Sequence, residues 1–379
     1  MAIQVRSPHF ESVSVSNLSY AILKIYIWTG DKNTVPPSFE YSIKKSATTP
    51  TTGNPRVTFE VAELIRDFLD IEFNGNYSGQ GVWVRFELNG YNSSEVSIID
   101  YAYTIDAFDG YEYFEEVFTP SPLMITNRKL FVLEDNTFRV PIYTNSSPTV
   151  TFLKDNEVVG TTSFTSSDES SEQIKYVSIY GDNTNWDTFK ERVLEDGGTD
   201  YESNKCLEAF FNDYSIGAVD KIIVSDSNGI KTINVSILEE CKYEPKKVTF
   251  VNKYGALQDM YFFKKSVEKM NVKKESYKSN ILNVSAYDSY NHVYRDFNVV
   301  GKESVTLSSG FLSEEYNEVF KQMMLSEKVW VTNITEDGEQ VLPINVKTSN
   351  INYKTSLNDR LVEYTIEFDK SFNVINDIR

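Results

Sequence analysis

Residues 362–368 read Val362-Glu363-Tyr364-Thr365-Ile366-Glu367-Phe368, which sets Val362, Tyr364, Ile366 and Phe368 on one face and two carboxylates with Thr365 on the other. A helix would scatter these side chains around its axis. A strand, whose side chains alternate, gathers them into one buried and one wet face. Two similar segments precede it, Val329-Trp330-Val331-Thr332-Asn333 and Val341-Leu342-Pro343-Ile344-Asn345-Val346, with a turn at Asp337-Gly338 between them. The texture recurs along most of the chain, so the sequence predicts a mainly β, multi-domain fold of sandwich-like domains with a few short helices.

At 379 residues the chain exceeds one ordinary core. Closely spaced prolines at Pro120-Ser121-Pro122 and a second break at Tyr243-Glu244-Pro245 divide it into units 1–119, 120–244 and 245–379. The first unit is read as strands over 21–28, 39–44, 57–59, 82–88 and 96–105, with a short helix carrying Val61, Leu64, Ile65 and Phe68. The middle unit is read as short strands from 129 to 238, interrupted by an irregular insertion with a helix near 186–194. The third begins with strands over 248–252 and 260–264 around a turn at Tyr254-Gly255. A helix then opens on a Ser313 hydroxyl cap, with Tyr316, Val319, Phe320, Met323 and Met324 as its apolar stripe.

The 37 basic and 55 acidic residues leave a formal charge of −18, which repels phosphate backbones and argues against a direct nucleic-acid partner. The densest basic stretch, from Lys264-Lys265 to Lys273-Lys274, has two readings: a solvated helix or loop face, or a contact with an acidic neighbouring subunit. No apolar run reaches the roughly 18 residues of a spanning helix, so no membrane insertion is expected. The N-terminus also lacks the basic and apolar regions of a secretion leader. Cys206 and Cys241 are isolated and read as free thiols in a reducing compartment, with their pairing left open.

Chemistry is sparse. The only histidines are His9 and His292, and no phosphate loop, nucleophile elbow, zinc-protease or dinucleotide motif occurs, so neither a catalytic residue nor a cofactor or metal is assigned. Asp106, Asp109, Glu112, Glu115 and Glu116, interleaved with Tyr111, Tyr113 and Phe114, form the best carboxylate cluster. It reads as a solvated acidic loop, or as the paired acids of a carbohydrate hydrolase if two of them face one another across a cleft. The spacing does not fit a calcium loop. Trp28, Trp83 and Trp330 sit among β-branched or aromatic neighbours and read as core or interface, whereas Trp186, in Asp182-Asn183-Thr184-Asn185-Trp186-Asp187, is the candidate exposed ligand contact.

Four segments carry a resemblance: Ile25-Tyr26-Ile27-Trp28-Thr29-Gly30, the stretch Phe59-Glu60-Val61-Ala62-Glu63-Leu64-Ile65-Arg66-Asp67-Phe68-Leu69, Phe250-Val251-Asn252-Lys253-Tyr254-Gly255-Ala256-Leu257-Gln258-Asp259, and Tyr353-Lys354-Thr355-Ser356-Leu357-Asn358-Asp359-Arg360-Leu361. Together they resemble virion structural proteins of tailed phages of Bacteroidetes-type bacteria, the crAss-like podophages in particular. The likeness touches the first and third units and leaves the middle unmatched. It implies a copy in the tail, tail hub or head-to-tail junction, assembled in the host cytoplasm as a symmetric homo-oligomeric ring against other tail or connector proteins, with no catalytic residues to carry over.

Three functions follow as expectations: a structural tail component, a host-surface or glycan-binding adhesin of the same particle, and a carbohydrate hydrolase. The first is favoured because no heptad or collagen-like stalk for an exposed adhesin is present. The assembly surface is expected on the third unit, from Tyr316 and Phe320 of the helix stripe and from Phe372, Val374 and Ile375 beyond the final strand.

Overall fold

The computed structural model describes residues 2–77, 80–115, 121–133, 137–164, 173–180, 219–227, 229–240, 242–283, 286–335, 338–352 and 361–375. Twenty-five strands and two helices lie in these residues, so the fold is mostly β with several sheets.

The first unit contains β1 (Ile3–Gln4), β2 (Phe10–Ser14), β3 (Tyr20–Trp28), β4 (Tyr41–Ser46), β5 (Arg56–Glu60), α1 (Ala62–Arg66), β6 (Gly81–Tyr91) and β7 (Ser97–Phe108). Five strands form a sheet in the order β1-β7-β6-β3-β4, in which β1 runs parallel to β7 and the rest are antiparallel. The β2–β5 pair supplies Val13, Val57 and Phe59 to the same core as Leu23, Ile25, Phe86 and Leu88 of the larger sheet. Alternation in β3 explains the arrangement: Ala21, Leu23, Ile25 and Ile27 turn inward, and fully burying each large side chain contributes roughly 1.5–3 kcal/mol.

The middle unit contains β8 (Lys129–Leu133), β9 (Thr137–Tyr143), β10 (Thr149–Lys154), β11 (Glu157–Ser163), β12 (Ile174–Tyr180), β13 (Lys221–Asp226) and β14 (Gly229–Leu238). A sheet in the order β11-β10-β13-β14-β8 shares its core with the β12–β9 pair through Val150, Phe152, Ile222 and Val224 on one side and Val140, Ile142, Val177 and Ile179 on the other. The insertion helix expected near 186–194, and both cysteines, lie outside the described residues.

The third unit contains β15 (Lys246–Val251), β16 (Leu257–Phe262), β17 (Val267–Lys278), β18 (Leu282–Asn283), β19 (Ala286–Tyr287), β20 (Tyr294–Ser308), β21 (Leu312–Ser313), α2 (Tyr316–Leu325), β22 (Val329–Thr335), β23 (Gly338–Val346), β24 (Leu361–Val362) and β25 (Thr365–Asn373). Seven strands form one sheet in the order β16-β15-β22-β23-β25-β20-β17. The buried side chains of α2 join its core, with Phe320 against Phe262 and Tyr364 at ring separations of 6.2 and 4.5 Å.

Several expectations change. The basic stretch 264–274 leads into and forms much of β17, not a helix or loop. The final strand continues through Phe372 to Asn373, because β20 and β23 both pair with it beyond Phe368. Helix α2 has no side-chain cap: Glu315 occupies the N-cap position, and the Ser313 hydroxyl is buried without a hydrogen-bond partner. Helix α1 is one short turn, with Phe68 beyond its end and partly exposed. The break at Pro245 does not separate two cores, since one apolar cluster runs from Leu130 and Val140 through Val248 and Met260 to Phe368.

Candidate assembly surface

The polar residues of the interior tie the units together. Asn252, fully buried at the start of the β15–β16 turn, uses both ends of its amide: Oδ1 accepts from the backbone N–H groups of Tyr254 (3.0 Å) and Ala256 (3.2 Å). Its Nδ2 donates to the Met124 carbonyl (2.7 Å) and to Gln258 Oε1 (3.0 Å). The turn needs Gly255 at φ +79°, and a Cβ there would stand 2.7 Å from that of Phe108. Nearby, Asp259 Oδ1 accepts from Tyr77 (2.7 Å) and Thr249 (2.8 Å), while Tyr176 donates to Gln80 (2.7 Å) and accepts from the Leu257 N–H (2.9 Å). Burial, with the Asp259 charge beside it, pushes the Tyr77 hydroxyl well above its ordinary pKa, so it stays a neutral donor.

The carboxylate cluster is divided by this packing. Asp106 is buried and accepts from Tyr143 and from Asn145 Nδ2 (3.1 Å). Asp109 is also buried, one of its oxygens lacking any hydrogen bond. Desolvation raises its pKa against the opposing pull of Arg6 and Arg66. Glu112 and Glu115 are exposed, and Glu116 lies outside the described residues. Trp28, Trp83 and Trp330 are all buried, and Trp186 lies outside the described residues. A cleft of about 970 Å³ opens in the middle unit beside Asn127, Arg128, Tyr143, Asn145, Asp226 and Tyr254.

The exposed apolar surface lies elsewhere. Strand β20 is flanked by both β17 and β25 as far as Lys302; from Gly301 back to Tyr294 its only strand partner among the described residues is β17. The two strands therefore run out of the sheet as a ribbon, closed at its far end by the β18–β19 pair. Every residue of β17 is exposed. Among the described residues between 267 and 299, nine large apolar or aromatic side chains are more than a third exposed, including Met270 (58%), Tyr294 (67%) and Phe297 (46%). Tyr277 and Phe297 make an edge-on contact at 5.7 Å, the ribbon's own cross-strand packing. A bulge between Lys273 and Glu275 sharpens its twist.

The candidate assembly residues divide accordingly. Tyr316 and Phe320 are interior: the Tyr316 hydroxyl accepts from the Phe131 N–H (3.0 Å), and Phe320 is fully buried under the sheet. Their stripe packs the monomer, because a helix on an otherwise open sheet face buries its apolar side there. Phe372, Val374 and Ile375 are each about half exposed. The Val374 N–H donates to the Gly301 carbonyl (2.8 Å), which sets this segment at the root of the ribbon. The sequence signal for the ribbon was present in Val267, Met270, Val272, Phe297 and Val299, but basic residues interrupt the alternation and no dry face marks the strands.

The chain matches no protein-family model and no curated protein.

Proposed function

We propose that this chain is a structural component of a phage virion, a tail or tail-hub protein that assembles into a ring with copies of itself and contacts neighbouring tail or connector proteins. The observation that carries the assembly reading is edge strand β17 and the ribbon it forms with β20, along which nine large apolar side chains among the described residues stand in the open. A two-stranded ribbon is marginal in water by itself, and so large an apolar surface belongs against a neighbour. The phage setting draws on the four resembling segments, two of which form α1 and the Asn252 turn. Localising the chain in the intact particle by electron cryo-microscopy tests the reading. Density for repeated copies around the tail axis would support it, and absence of the chain from purified particles would refute it.

The binding alternative, an adhesin, has the polar cleft and Trp186 as its candidate features. A tryptophan-fluorescence titration with host glycans checks it, and a silent titration removes its best residue.

A further inference from the structure

We infer that the ribbon of one copy docks head-to-tail on an acidic ridge of the first unit of a second copy, an inference that rests on the ring reading above. Between residues 267 and 301, five lysines and arginines stand against four aspartates and glutamates, a slight positive excess on a chain whose formal charge is −18. Lys269 and Lys273, on one face of β17, make no ion pair among the described residues, whereas Lys274 is held by Asp296 at 2.7 Å. Edge strand β17 thus offers exposed apolar side chains together with two unpaired lysines, which fits an acidic protein surface with apolar residues of its own.

Residues 60–72 present such a surface. Glu60, Glu63, Asp67, Asp70 and Glu72 are all exposed, with Arg66 as the only cation in the stretch. Arg66 and Asp70 are already paired with Glu327 and Lys328, but Glu63, Asp67 and Glu72 make no ion pair among the described residues. Phe68 beside them is 38% exposed, and Phe10, opposite Glu60 in the β2–β5 pair, is 59% exposed.

The placement of the two surfaces favours a head-to-tail contact. The first unit rests on the β16-β15-β22 side of the seven-stranded sheet: Ile71 and Phe73 pack on Val251, Leu257 and Trp330, and the Tyr111 N–H donates to the Lys253 carbonyl (2.8 Å). The ribbon leaves the opposite edge, four strand spacings and roughly 19 Å from β22. Two different surfaces of one body, each meeting the other on a second copy, give a heterologous contact, the kind that closes rings. Symmetric pairing of two β17 edges is opposed, because it would bring the lysines of both copies together, and lysine on an edge strand guards against such pairing.

The test uses the purified full chain in sedimentation velocity over a concentration series. The wild-type chain is expected to associate, more weakly as salt is raised. The double variants Lys269→Glu with Lys273→Glu, and Glu63→Lys with Asp67→Lys, should each weaken association by more than about tenfold. The chain carrying all four changes should regain it, with all melts unchanged. A wild-type chain that stays monomeric into the high-micromolar range overturns the proposal. So do charge reversals without effect, or failure of the combined variant to recover. Association in solution is read independently of the particle, so a chain that associates as described but is missing from virions would refute the phage reading and leave this contact standing.

Discussion

Replacing Asn252 by alanine tests whether the buried polar joint sets the arrangement of the units. The substitution leaves the Ala256 N–H, the Met124 carbonyl and Gln258 Oε1 without their partner inside a region closed to water. A buried polar group stranded in this way costs about 1–3 kcal/mol, so the three together lower stability by roughly 3–9 kcal/mol. The backbone bond from Asn252 N–H to the Ala256 carbonyl (2.9 Å) remains, so the turn itself need not open. Urea unfolding followed by tryptophan fluorescence should show the midpoint falling with the slope unchanged. Asn74→Ala, which loses only an exposed turn bond to the Asn76 N–H, should stay within about 0.5–1 kcal/mol of wild type. A loss at Asn252 no greater than at Asn74 would show that water or rearrangement satisfies those groups, and the joint would lose its assigned role.

Gly255→Ala should cost about 2–4 kcal/mol in the same assay, combining a left-handed backbone with a Cβ 2.7 Å from that of Phe108. Phe368→Ala, which empties a fully buried site beside Phe262, should cost about 3–5 kcal/mol, whereas Phe372→Ala, four residues along the same strand and 44% exposed, should cost under about 1 kcal/mol and instead weaken association. Asp109 has a raised folded-state pKa, so its protonated form favours the fold and this contribution is lost as pH rises through the carboxylate range. Asp109→Asn should therefore match wild type at acidic pH and become relatively more stable towards neutrality, as pH-dependent melts would reveal. Turnover of a bacterial surface polysaccharide abolished by the same change would instead restore the hydrolase reading.

Alternation alone determined much of this protein. The burial of Val362, Tyr364, Ile366 and Phe368, the short strands of the middle unit and the turn at Gly255 are local consequences of residue type and spacing. Strand periodicity says that two side chains share a face, but not whether another element covers it. Phe368 and Phe372 occupy matching positions of the sequence alternation; Phe368 packs against Phe262 within the core, whereas Phe372 lies beyond a shift in the β20–β25 register and is 44% exposed. The same limit hid the role of Tyr316 and Phe320, whose apolar stripe would look identical whether it met its own sheet or a neighbour. It also hid Asn252, at the start of the β15–β16 turn, and Thr249 and Asp259 in the flanking strands, polar residues that tertiary packing encloses with their partners. The ribbon is the converse case: β17 and β20 are strands by local preference, and only the end of β25 beside β20 decides where the sheet stops and an exposed arm begins.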